Sequence, residues 1–168
     1  MFLADLVQPP TGHVNIKVYD KLGKLIDEID GDNVIVNDGR IALAHWTGGD
    51  VGSSWLIDHI KYSDGGHDPS DPTQMLPVYV SDTDLHHTPI FSKALQSSDV
   101  SYPATNSRTV QFSSSMETSE GNGTSGTQAY SEVGLYYNHG TKLFAHKTFG
   151  YVIKNSSNRL VVTWSFIF

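Results

Sequence analysis

The last ten residues, Arg159 to Phe168, constrain the fold more than any other stretch of this chain. Leu160, Val162, Trp164, Phe166 and Phe168 fall on one side of an extended backbone, and Val161, Thr163, Ser165 and Ile167 fall on the other. This is the pattern of a core strand whose second face is half apolar. A terminus built this way is expected to be pinned inside a sandwich or an assembly. Two further extended runs precede it, Tyr130 to Tyr137 and Lys142 to Tyr151, separated by Asn138-His139-Gly140 and by Asn155-Ser156-Ser157-Asn158. Both separators have hairpin-turn composition.

With 168 residues, 17% of them charged, 15 glycines and many Ser, Thr and Asn, the chain suits a single all-β domain better than a helical bundle. A formal charge of −7, with 11 Lys and Arg that form no cluster, argues against a nucleic-acid partner. The absence of cysteine removes disulfides, thiolate metal sites and cysteine nucleophiles together. No stretch reaches membrane-spanning length, and the start has an early Asp5 and no basic region of the kind a signal peptide needs.

Residues 1–12 read as an extended N-terminal arm carrying Phe2, Leu3, Leu6 and Val7 and ending at Pro9 and Pro10. A β-sandwich or jelly roll is expected over residues 13–168, with about eight strands. Val14, Ile16 and Val18 alternate, Asp20 to Gly23 has turn chemistry, and Lys24 to Ile29 returns, giving an accessory hairpin over 13–30. Asp30 to Asn33 reads as the next turn. Asn37 and Asp38 are good N-caps for a short helix near 38–47 that Gly48 and Gly49 stop. Residues 63–89 are broken by Asp-Pro and Asp-Gly pairs into a long loop, of a length that usually serves a function or an interface. Glu117 to Gln128, rich in Ser, Thr and Gly, reads as an exposed mobile tip.

Several short motifs recur in a familiar order: Asn33 to Gly39 opening the helix, Ile60 to Gly66, Ser81 to Leu85, Ser131 to Tyr136, Lys142 to Phe149, and Lys154 ahead of Leu160 to Phe168. In this the chain resembles tailed-bacteriophage structural proteins, in particular the N-terminal domain of phage tail-collar fibre proteins. The resemblance covers roughly Asn33 to Phe168. Those proteins continue into a fibre, whereas this sequence ends at Phe168 and adds the hairpin over 13–30. The resemblance therefore implies a virion component that is not a receptor-binding fibre: a capsid decoration or cement protein, or a neck or tail collar adaptor. Its implied partners are copies of itself and other phage structural proteins, capsid or tail subunits.

The residues offer little catalytic chemistry. There is no Gly-x-Ser-x-Gly elbow, and Asp64-Gly65-Gly66 lacks the Lys and helix of a phosphate loop. Trp46, Trp55 and Trp164 lie in apolar patterns and read as core. No enzyme and no cofactor are expected. Asp64, Asp68 and Asp71, with Asp82 and Asp84 downstream, carry hard oxygens that calcium accepts, but their spacing matches no calcium loop, and a solvated loop is the favoured reading. Among eight histidines the best grouping is His86 and His87 with His59 or His67; adjacent strand residues face apart, so no metal is expected there either. On the strand Ser131 to Tyr137, Val133, Leu135 and Tyr137 share one face and Glu132, Gly134 and Tyr136 the other. Glu132 is expected to pair with Lys142, Lys147 or Lys154.

The reading that follows is a non-enzymatic β-sandwich that packs symmetrically on a particle, with Phe2, Leu3, Leu6 and Val7 as a clip inserted in a neighbouring groove. The alternative from a different class is a lectin-like carbohydrate-binding module using Tyr130, Tyr136 and Tyr137 as an aromatic platform.

Overall fold

The computed structural model describes residues 10–105 and 107–168. In chain order the elements are β1 (Thr11–Asp20), β2 (Leu25–Ile35), α1 (Asn37–Thr47), β3 (Ile57–Ser63), β4 (His67–Asp68), β5 (Asp71–Met75), β6 (Phe91–Ala94), β7 (Val100–Ser101), β8 (Thr109–Met116), β9 (Thr127–Tyr137), β10 (Lys142–Asn155) and β11 (Asn158–Ile167). Nine strands form one curled sheet in the order β6-β3-β9-β10-β2-β1-β11-β8-β7, and β4 and β5 make a separate small hairpin. The chain is all-β and sandwich-like, with one α-helix among the described residues. Among the described residues no helix is long and apolar enough to cross a membrane. Phe2, Leu3, Leu6 and Val7 lie outside the described residues.

The C-terminal strand behaves as its alternation demands. Leu160, Val162, Trp164 and Phe166 are each 1% exposed or less. They stand opposite Val18, Ile16, Val14 and Gly12 of β1. Across the core the Phe166 ring meets Phe144 of β10 edge to face at 5.3 Å, tying the two halves of the curl together. Phe168 escapes the pattern: it is half exposed, its N–H donating to the Arg108 carbonyl at 3.0 Å.

Three local expectations change. The hairpin over 13–30 is not peripheral, because β1 lies between β2 and β11 and buries Val14, Ile16 and Val18. Asp30 to Asn33 is strand, not turn. Asp30 and Asp32 accept from His13 at 2.8 and 3.2 Å on the solvent side, and the missing side chain of Gly31 leaves room for the Lys147 ammonium. Cross-strand polar pairs of this kind hold an otherwise turn-like sequence extended. The segment Glu117 to Gln128 is free only at its tip: Tyr130 Oη donates to Gly121 O at 2.9 Å, and Lys93 binds Glu120 at 2.9 Å.

β2 is the hinge of the curl. It pairs with β1 as far as Asn33, and then Val34 and Ile35 pass to His146 and Ala145 of β10. The helix follows at once, and it is not capped by Asn37 or Asp38. Instead Val36 occupies the cap position, and the Asn37 N–H donates to Val80 O at 2.7 Å, so the long loop supplies the cap. A Cβ at Gly39 would overlap the Phe144 carbonyl, so only glycine lets α1 lie this close to β10.

Candidate histidine–carboxylate site

Both faces of β9 are buried, each under a different cover. Val133, Leu135 and Tyr137 enter the main core, whereas Tyr136 joins Val36, Leu85 and Leu143 in a second, smaller one. The cover over that second face is residues 76–90, which run across the sheet as a strap. Leu76 N–H donates to Gly66 O, Thr148 Oγ1 donates to Leu76 O, the Tyr136 hydroxyl donates to Asp84, and Ile90 N–H donates to Tyr62 O.

A β-bulge in β10 aligns what lies beneath. The register with β9 shifts between Leu143 and Ala145, which turns Phe144 into the main core. Leu143 and His146, three residues apart, would otherwise point to opposite faces; the bulge puts both under the strap, with His146 opposite Gly134 and Leu143 opposite Tyr136. The chain prepares the strap's approach as well. A Cβ on Gly65 would stand 2.6 Å from both Glu132 Oε1 and the His87 ring.

Glu132 is shut off from solvent and accepts four hydrogen bonds. Ser63 Oγ (2.7 Å) and His87 N–H (3.0 Å) reach Oε1; His86 N–H (3.0 Å) and His146 Nε2 (2.9 Å) reach Oε2. Burial pushes this carboxyl up, but the bonds from His146, Ser63 and the two strap amides outweigh it and hold it down to about 2. Glu132 is thus an ionised anchor that fastens the strap by two consecutive backbone N–H groups. Its expected lysine partners are elsewhere: Lys142 pairs with Asp38 at 3.4 Å, Lys147 binds the Asp32 carbonyl at 2.7 Å, and Lys154 binds Asn122 at 2.9 Å.

His146, also fully buried, has its other nitrogen, Nδ1, 3.2 Å from Asp82 Oδ2 of the strap. The His86 ring meets that of His146 edge to face at 4.8 Å between centroids. Asp82, His86 and His146 each offer a ligand atom within 4.8 Å of the others, and among the described residues they are the one group of three or more that does so. A cleft of about 330 Å³ bounded by Asn33, Leu76, Pro77 and Lys147 runs alongside His146.

The residues singled out from the sequence scatter around this centre. His86 enters it, while His87 turns to Asp64 at 3.2 Å, His59 sits on Asp58 at 2.8 Å and His67 stacks on Tyr151 at 4.0 Å. Asp68 and Asp71 close their own turns with Ser70 and Thr73 and do not converge with Asp64. Asp82, named with the acidic loop, enters the centre as well, but His146 was not singled out. The available signal was a carboxylate on a strand apolar on both faces, which requires a polar cover.

Two other surfaces bear on function. Tyr130, Tyr136 and Tyr137 are at most 3% exposed, so they form no platform for a sugar ring. Separately, Trp46, Val51, Leu56, Tyr102, Phe112 and Phe168 line an apolar groove of about 580 Å³. Val51 and Tyr102 there are 68% and 70% exposed. No protein-family model, curated protein or solved structure matches the chain.

Proposed function

We propose that this protein is a non-enzymatic structural component of a tailed-bacteriophage particle, packing against copies of itself and against capsid or tail subunits as a decoration or cement protein or as a neck or tail collar adaptor. The phage assignment is supported by the motif order from Asn33 to Phe168. The observation that carries the packing mechanism is the open apolar groove walled by Val51, Leu56, Tyr102 and Phe168. Its occupant is the N-terminal arm of a neighbouring copy. Thr11 pairs with Ile167, so the described part of the first strand begins at the end of the sheet where Phe168 stands, and nine residues precede Pro10 in the sequence. Fully extended, such a segment spans about 30 Å, enough to reach a neighbour. Burying Phe2, Leu3, Leu6 and Val7 there contributes several kcal/mol before ordering costs, roughly 1.5 to 3 for each side chain.

The test is light scattering of the intact protein and of a chain lacking residues 1–9, together with rebinding to particles stripped of it. A symmetric oligomer that restores particle stability, and that the deletion reduces to a folded monomer, is the expected result. Unchanged assembly after the deletion sinks the clip, including the case of an arm lying in its own groove. A monomer indifferent to particles sinks the virion reading.

A further inference from the structure

We infer that Asp82, His86 and His146 form a binding site for a divalent transition-metal ion, zinc or its nitrogen-preferring neighbours, which clasps the strap to the sheet. This does not depend on the particle reading above.

The argument begins with the electron pairs. Glu132 is anchored by three donors besides His146, so His146 Nε2 must carry the proton it shares with Glu132 Oε2 at 2.9 Å. Nδ1 of a neutral ring then presents a lone pair to the Asp82 carboxylate, 3.2 Å away. Two lone pairs at that distance repel unless a cation lies between them: a second proton on the ring, or a metal.

One observation is compatible with the metal and two favour it. The compatible one is distance. Donors about 2.1 Å from a common ion are about 3.0 Å apart at octahedral angles and about 3.4 Å apart at tetrahedral ones, and the Nδ1 to Oδ2 separation of 3.2 Å, which a hydrogen bond would also give, falls between. The second is His86. Its Nδ1 is buried and makes no hydrogen bond; Glu132 Oε2 is 3.4 Å away and out of line. A ring nitrogen left so costs stability unless something at the site takes it up, and closing the three donors from within 4.8 Å of one another to the spacing of a common ion requires the His86 ring to turn inward. The third is charge. Asp82 and Glu132 bring two negative charges under the strap, and among the described residues no Lys or Arg pairs with these four side chains. A proton on His146 leaves one charge unbalanced in a poorly solvated place, whereas a divalent ion leaves none.

The donor set names the class of ion. Two imidazoles and one carboxylate suit zinc, cobalt or nickel and not calcium or magnesium, which take oxygen. Glu132 supplies the second carboxylate that fixes the tautomer and orientation of a metal-bound histidine. The cleft beside His146 offers an approach, and Asp82 and His86 keep 15% and 21% of their side chains open.

The experiment uses the full chain stripped with EDTA and dialysed. Zinc titrated by calorimetry should bind at one equivalent and raise the melting temperature, with calcium without effect, and cobalt should show the visible absorption of a nitrogen-ligated site. His86→Ala, which removes a nitrogen with no hydrogen bond, and Asp82→Asn should each abolish one-equivalent binding. His13→Ala, at a surface His-Asp pair, should leave it intact. Glu132→Gln should weaken binding roughly tenfold to a hundredfold. Zinc binding that survives both His86→Ala and Asp82→Asn overturns the site. So does wild-type protein that takes up no zinc, or nitrogen shifts showing His146 doubly protonated in excess zinc. If a variant fails to fold, X-ray absorption of the zinc-loaded wild type decides: two imidazoles and one carboxylate support the assignment, and an all-oxygen shell excludes it.

Discussion

His146 Nε2 lies 2.9 Å from Glu132 Oε2 with both side chains fully buried, and the two come from adjacent strands whose backbones place Glu132 opposite Thr148 and His146 opposite Gly134. The contact is diagonal across the sheet, not between directly opposed residues. It holds because the strap closes over both, its His86 and His87 amides donating to the same carboxylate.

Replacing Glu132 by Ala leaves His146, Ser63 and two strap N–H groups without their acceptor. Breaking a buried pair from one side costs about 3 to 5 kcal/mol. Urea unfolding in EDTA should show that loss, and a change below about 1 kcal/mol would mean the carboxylate is not the strap's anchor.

Stability should fall in acid for the same reason. The Glu132 carboxyl is held down to about 2 in the folded protein against 4.5 ordinarily, so the unfolded chain binds the proton more readily. Its contribution is complete above about pH 4.5 and disappears as the pH falls through 2, amounting to about 3 kcal/mol by linkage. Denaturation midpoints measured in EDTA between pH 6 and 2 should decline over that window, and Glu132→Gln should flatten the decline.

Gly65→Ala tests the strap's approach. The added methyl would stand 2.6 Å from Glu132 Oε1 and from the His87 ring, and overpacking of this kind costs about 1 to 3 kcal/mol. The readout is hydrogen exchange. The His86 and His87 amides, which donate to Glu132, should lose protection while those of β1 and β11 keep theirs.

Two aromatic residues of β11 and its end should behave oppositely. Trp164 is fully buried, and Trp164→Ala should cost about 3 to 5 kcal/mol. Phe168 is half exposed at the groove, and Phe168→Ser should change monomer stability by less than about 1 kcal/mol while weakening self-association in sedimentation. A Phe168→Ser protein that assembles normally would exclude the groove as an interface.

The sequence by itself determined the strands. Period-two burial from Leu160 to Phe166 and from Val14 to Val18, and the turns at Asn138 to Gly140 and Ser156-Ser157, are local consequences of side-chain alternation and backbone preference, and they are legible without a partner in view. The helix and its glycine stop were legible for the same reason, although its cap was not, since Val80 supplies it from 43 residues away. Only the tertiary structure decided the rest. Whether Asp30 to Asn33 turned or ran straight depended on His13 and Asn15 across the hairpin. Whether Glu132 met a lysine or a histidine depended on a one-residue bulge at Phe144, which reverses which side chains of β10 face the strap. Strand identity is a property of neighbours in sequence. The histidine–carboxylate centre is assembled from β3, β9, β10 and the strap, and its geometry exists only once the sheet has closed and the strap has crossed it.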